Sequence, residues 1–149
     1  MARSPDNPSF RNQRIDNVLL PYTVRVTWLL VGAGGAIGSM ARYGLNLLIV
    51  SRAGTSFPTG IFLINVLGSA LIGVVVGLSM NPRPPMSDEI RTFLAVGVLG
   101  GFTTFSSFSL DTLLLLRSGR VTEAVINAAG QVLVSLVAVW IGFRLGTGN

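Results

Sequence analysis

The densest gathering of chemically capable residues is Gly100-Gly101-Phe102-Thr103-Thr104-Phe105-Ser106-Ser107-Phe108-Ser109, in which five hydroxyls surround aromatic rings inside an otherwise apolar stretch. Paired glycines followed by hydroxyls that compete for backbone hydrogen bonds weaken a helix. At membrane depth such a break is tolerated only where it is buried in protein or lines a cavity. Carbonyls freed there can bind a cation. Phe105 and Phe108, three residues apart, project on one face, and a phenyl ring offers a positive edge to an anion.

Other polar residues sit at comparable depth. Asn65 lies within Ile61-Phe62-Leu63-Ile64-Asn65-Val66-Leu67, where its amide must find a partner and can present two N–H donors. Asn127, Gln131 and Ser135 recur every four residues and form one polar stripe about 12 Å long, suited to a track of donors along a pore. Arg42 and Asn46 continue the face begun by Gly34 and Gly38. Asp111 is the one acid deep in a span and is expected to face a partner helix or the interface. This set of arginine, amides, hydroxyls and aromatic edges suits an anion, which exchanges its hydration water for a row of moderate sites.

The elements that position these groups are helices in a bilayer. Half of the 149 residues are apolar and 11% are charged, well under the quarter usual for soluble domains. A spanning helix needs roughly 20 apolar residues. Val24–Val50, Pro58–Met80, Thr92–Leu116 and Ala124–Phe143 meet that need, and the third is expected to be broken near its middle. The linkers Ser51–Phe57, Asn81–Arg91 and Arg117–Glu123 are too short for a soluble domain. The chain therefore reads as a polar tail over 1–23, with both Arg and Asp and several prolines, followed by one four-helix transmembrane domain over 24–149. The apolar run after the tail is too long for a signal peptide and lacks a clean cleavage site, so the first helix is expected to be retained.

All eleven cations are arginines, scattered without a basic cluster, which excludes nucleic acid as a partner. Near the span ends the arginine bias between the two sides is slight, which permits insertion both ways. With neither cysteine nor histidine and few acids, no nucleophile–base pair or transition-metal site can be assembled, so no enzyme is expected. Glycines at Gly34 and Gly38, and Ser69, Gly73 and Gly77, are spaced for close helix packing.

From Val31 onward the sequence resembles the small fluoride channels called Fluc or CrcB proteins. The resemblance is carried by Gly34-Gly35-Ala36-Ile37-Gly38 with Arg42-Tyr43, by Pro58-Thr59-Gly60 leading to Asn65, and by Gly100 to Ser109. It implies an all-α, antiparallel, dual-topology homodimer in the inner (plasma) membrane, with two pores that passively release fluoride and protect against its toxicity. Phe105 and Phe108 match the family's phenyl box, and Asn65 a donor on the same path. Thr104, Ser107, Asn127, Gln131, Ser135 and Arg42 are the further pore candidates. Gly100 and Thr103 match the positions whose backbone carbonyls, not hydroxyls, hold a structural sodium at the dimer interface. Gln131 departs from the pattern, standing where serine is expected. Two other readings compete: a proton-coupled small multidrug exporter, for which Asp111 is a poor carboxylate, and a non-conducting membrane scaffold.

Overall fold

The computed structural model describes residues 22–80 and 86–148. All but two residues of the expected polar tail, and most of the loop that follows Met80, fall outside them. The described chain forms four helical rods and no strand. Helix α1, Tyr22–Ala53, ends where Gly54 adopts φ 78° and donates its amide to the Val50 carbonyl at 2.9 Å, a left-handed cap that favours glycine. Helix α2 is Thr59–Met80.

The third rod begins with α3, Asp88–Arg91, passes through a π-helical stretch, Thr92–Val98, and continues as α4, Leu99–Phe102. Thr103 and Thr104 then take extended conformations before α5, Phe105–Arg117. A tight turn with Gly119 at φ 73° leads to the fourth rod: α6, Val121–Val125, a second π-helical stretch, Ile126–Gly130, and α7, Gln131–Thr147.

Three of these rods, Thr59–Met80, Asp88–Arg117 and Val121–Thr147, are long and apolar enough to cross a bilayer. At 32 residues, α1 is about 48 Å long, ample for a crossing. Its apolar character, however, is diluted by a run of glycines with Ser39, Arg42 and Asn46. Buried Gly34 and Gly38 set that diluted face against the third rod.

The molecule carries its large apolar side chains outward. Trp28, Leu29, Met40, Leu133, Trp140 and Leu145 are exposed, whereas the buried hydrophobic residues are Ile64, Leu99, Phe102, Leu115 and Ala124. In water such a surface drives association. In lipid it is solvated, and backbone polar groups closed within helices incur no penalty. This is a multi-pass membrane protein.

Helix packing relies on backbone approach. A Cβ at Gly38 would overlap the Val98 carbonyl oxygen of the third rod, and one at Gly142 of α7 would overlap that of Ala70 in α2. The spacing of small residues thus serves close contact, as membrane helices commonly use it. The Thr103–Thr104 segment is met from α2, where Gly68 lies against the Thr103 side chain and Asn65 bonds Thr104.

Candidate functional site

Continuous helix would oblige the amide of Thr104 to bond the carbonyl of Gly100, and that of Ser107 to bond Thr103. Both amides are diverted. Thr104 N–H donates to Asn65 Oδ1 at 2.8 Å, and Ser107 N–H to Thr104 Oγ1 at 3.3 Å. The second contact makes Thr104 the N-cap of α5, a role threonine fills because its oxygen replaces the missing carbonyl of the preceding turn. Asn65 also donates from Nδ2 to the Thr104 carbonyl at 3.0 Å, so its amide clasps both backbone groups of one extended residue.

Nδ2 donates a second time, to Gln131 Oε1. Gln131 Nε2 lies 3.5 Å from Asn127 Oδ1; Asn127 Nδ2 donates to Thr112 Oγ1 at 2.9 Å; and Thr112 donates to the Phe108 carbonyl at 2.8 Å. Asn65, Gln131 and Asn127 are buried, with Asn127 fully so, and each needs such partners. In this arrangement both donors of Asn65 are held by Thr104 and Gln131.

In front of this network opens a cavity of about 330 Å³, lined among others by Asn65, Thr104, Phe105, Phe108, Gln131 and Ser135. Gly100 and Thr103 reach its wall, and among the described residues no acid does. The Phe105 and Phe108 rings lie 5.2 Å apart and are inclined by 57°, so they meet tilted rather than face to face. Phe105 is 77% exposed. The cavity therefore has an open side bordered by an uncovered ring.

The remaining candidates lie off this wall. Ser107 accepts a hydrogen bond from the Thr104 hydroxyl at 3.3 Å. Asn127 sits behind Gln131. Arg42 reaches the third rod from α1, its Nε donating to the Gly101 carbonyl at 3.1 Å, with the Ser39 hydroxyl on the same oxygen at 3.4 Å. That carbonyl lies where the helix can no longer supply a donor, and a cation near a helix C-terminus suits the backbone dipole.

Asn46 does not follow Arg42. It lines a second cavity of about 270 Å³ with Thr55, Asp111, Ser118 and Arg120. Asp111 thus stands apart from the phenyl cavity, while Arg120 pairs with Glu123 at 3.1 Å. Thr112, Ser39 and Ser69 are polar participants that spacing alone did not single out for chemistry. Thr112 lies four residues after Phe108, one helical turn along, and that was the available signal. Among the described residues no cluster of His, Cys, Asp or Glu could hold a metal ion.

Residues 29–143 match the model of the family described as CrcB-like protein, Camphor Resistance (CrcB). The chain is 49% identical over 119 residues to a protein of Thermus thermophilus named fluoride-specific ion channel FluC, an alignment covering 80% of this chain and 94% of that one. A protein of the same name from Rhizobium meliloti is 46% identical over 117 residues, covering 78% and 93%. One from Paramagnetospirillum magneticum is 46% identical over 123 residues, covering 82% and 96%.

Proposed function

The chain belongs to the CrcB-like family, and from that premise we propose that it is a fluoride-selective channel, a non-enzymatic passage through which fluoride leaves the cytoplasm passively and its toxicity is relieved. The observation that carries this reading is the acid-free cavity in which a tilted phenyl pair faces the amides of Asn65 and Gln131. Fluoride is small and strongly hydrated, and ring edges together with a polar wall exchange for its water at moderate strength.

Phe105 and Phe108 form the aromatic wall of the path, Asn65, Gln131 and Ser135 its polar wall, and Thr104 and Ser107 fix the break between them. Asn127 supports Gln131 from behind, and Arg42 adds positive potential from the α1 side. The exposed ring of Phe105 supports an assembly of two copies, the second completing the open side. The slight arginine bias supports an antiparallel pair. In that assembly α1 is the fourth spanning helix, its weakly apolar character offset by contacts with the third rod.

A structural sodium fits the chain's own donors. The amides that would satisfy Gly100 and Thr103 are committed to Asn65 and Thr104, which leaves two neutral carbonyl oxygens of the kind a hard cation takes. A second copy would supply the rest, and the ion would pin the two breaks together.

The test is fluoride efflux from liposomes carrying purified protein, read with a fluoride electrode after addition of a potassium ionophore, with chloride run in parallel. Rapid fluoride release without chloride release is expected. No release from well-folded protein would overturn the channel reading in favour of a scaffold. The exporter reading has little support, because Asp111 lies in a cavity separate from the phenyl pair.

A further inference from the structure

We propose that Gln131 is a latch on the donor amide of Asn65, and that its release sets how readily the pore admits its anion. The proposal rests on the channel reading above.

The peptide groups of Thr104 have fixed roles: the N–H only donates and the carbonyl only accepts. Asn65 must therefore turn Oδ1 to the first and Nδ2 to the second, as it does at 2.8 and 3.0 Å. One N–H of Nδ2 remains. Gln131 can meet it only with Oε1, because the opposite orientation would set two N–H groups against each other. Gln131 Nε2 is thereby aimed at Asn127 Oδ1, and Asn127 Nδ2 at Thr112. A single extended residue thus dictates the direction of every amide behind it.

Two consequences follow for an anion beside Phe105 and Phe108. The Asn65 N–H it would use is occupied, and the occupying atom is a carbonyl oxygen, whose negative end opposes the anion. Gln131 is also held unevenly: its Nε2 contact is 3.5 Å, at the limit of a hydrogen bond, so the amide is tethered chiefly through Oε1. Swinging Gln131 away breaks that one hydrogen bond and exposes the Asn65 donor. A serine, too short to span the gap, would leave the donor permanently available.

Breaking one net hydrogen bond corresponds to about a two- to tenfold change in an equilibrium constant. Flux at low fluoride is therefore expected to rise about two- to tenfold in Gln131→Ser, with chloride still excluded. Gln131→Leu, which removes acceptor and donor together at similar volume, should also gain flux. Gln131→Glu keeps the acceptor and adds charge, so its flux should fall below detection. As a reading that a merely structural role would not move, the side-chain amide resonance of Asn65 in reconstituted protein should respond to lower fluoride concentrations in Gln131→Ser than in the parent. A parent that releases no fluoride would overturn the channel reading, and the latch with it. A conducting parent whose Ser and Leu variants gain no flux, with an unmoved Asn65 response, would overturn the latch alone. Should one of these two variants fail to fold, the other decides.

Discussion

Replacing Asn65 by leucine removes three hydrogen bonds while preserving most of the volume. Lost are the acceptor for Thr104 N–H at 2.8 Å, the donor to the Thr104 carbonyl at 3.0 Å and the donor to Gln131 Oε1. Side-chain hydrogen bonds between membrane helices average about 0.6 kcal/mol each, which sets a floor near 2 kcal/mol for the three. Orphaned buried groups cost about 1–3 kcal/mol apiece. The cavity can hydrate the Thr104 carbonyl and Gln131, whereas the Thr104 amide is turned away from its own helix and onto Asn65. A loss of about 2–4 kcal/mol is therefore expected, measured by denaturant titration of purified protein in micelles. Asn65→Asp is the sharper companion. It keeps the acceptor for Thr104 N–H but sets a carboxylate against two carbonyl oxygens, so it should be at least as unstable despite its near-identical shape. A leucine variant within about 0.5 kcal/mol of the parent would refute the clasp, since even the smallest membrane values sum to more than that.

Phe105→Ile and Phe108→Ile should each abolish fluoride efflux while size-exclusion chromatography shows the parent's assembly. Unchanged flux in either would remove that ring from the path. Gly38→Ala and Gly142→Ala each force a methyl into a carbonyl oxygen of a neighbouring rod, so both should lower the yield of folded protein sharply, by several kcal/mol if it can be titrated, in line with overpacking of about 1–3 kcal/mol or more. Arg42→Ala strips a charge-assisted hydrogen bond from the Gly101 carbonyl and should cost about 1–2 kcal/mol in the same titration. Lysine at that position should recover part of this, because it restores charge without the guanidinium geometry.

Much of the architecture is legible from apolar run length. The second, third and fourth spans stand out because lipid demands them, and the stretch from Gly100 to Ser109 stands out because so many hydroxyls are costly there. The first helix is legible too, as Val24–Val50 within the observed Tyr22–Ala53, but what holds it is not. A hydropathy pattern weighs side chains, while α1 is held by backbone approach at Gly38, and its end is set by the turn at Gly54 rather than by polarity. The site was legible as a face but not as a network. Four-residue spacing groups Asn127, Gln131 and Ser135, yet which amide meets which depends on how α2 and α7 lie together. For the same reason Arg42 and Asn46, neighbours on one helical face, end at different places, one on the Gly101 carbonyl and the other beside Gly60 in the second cavity.

The fixed direction of the amide stripe also bears on what it will refuse to carry. A proton wire works by having every member hand its hydrogen forward and take one from behind, so that the whole row reverses polarity as the charge passes. Hydroxyls and water can do this. Amides tied to a peptide group cannot, since reversal would ask the Thr104 carbonyl to donate and its N–H to accept. The row from Thr104 through Asn65, Gln131 and Asn127 is thus an insulator for hydrogen ions even though it is continuous, and a membrane that stores energy as a proton gradient could keep such a stripe in place without draining it.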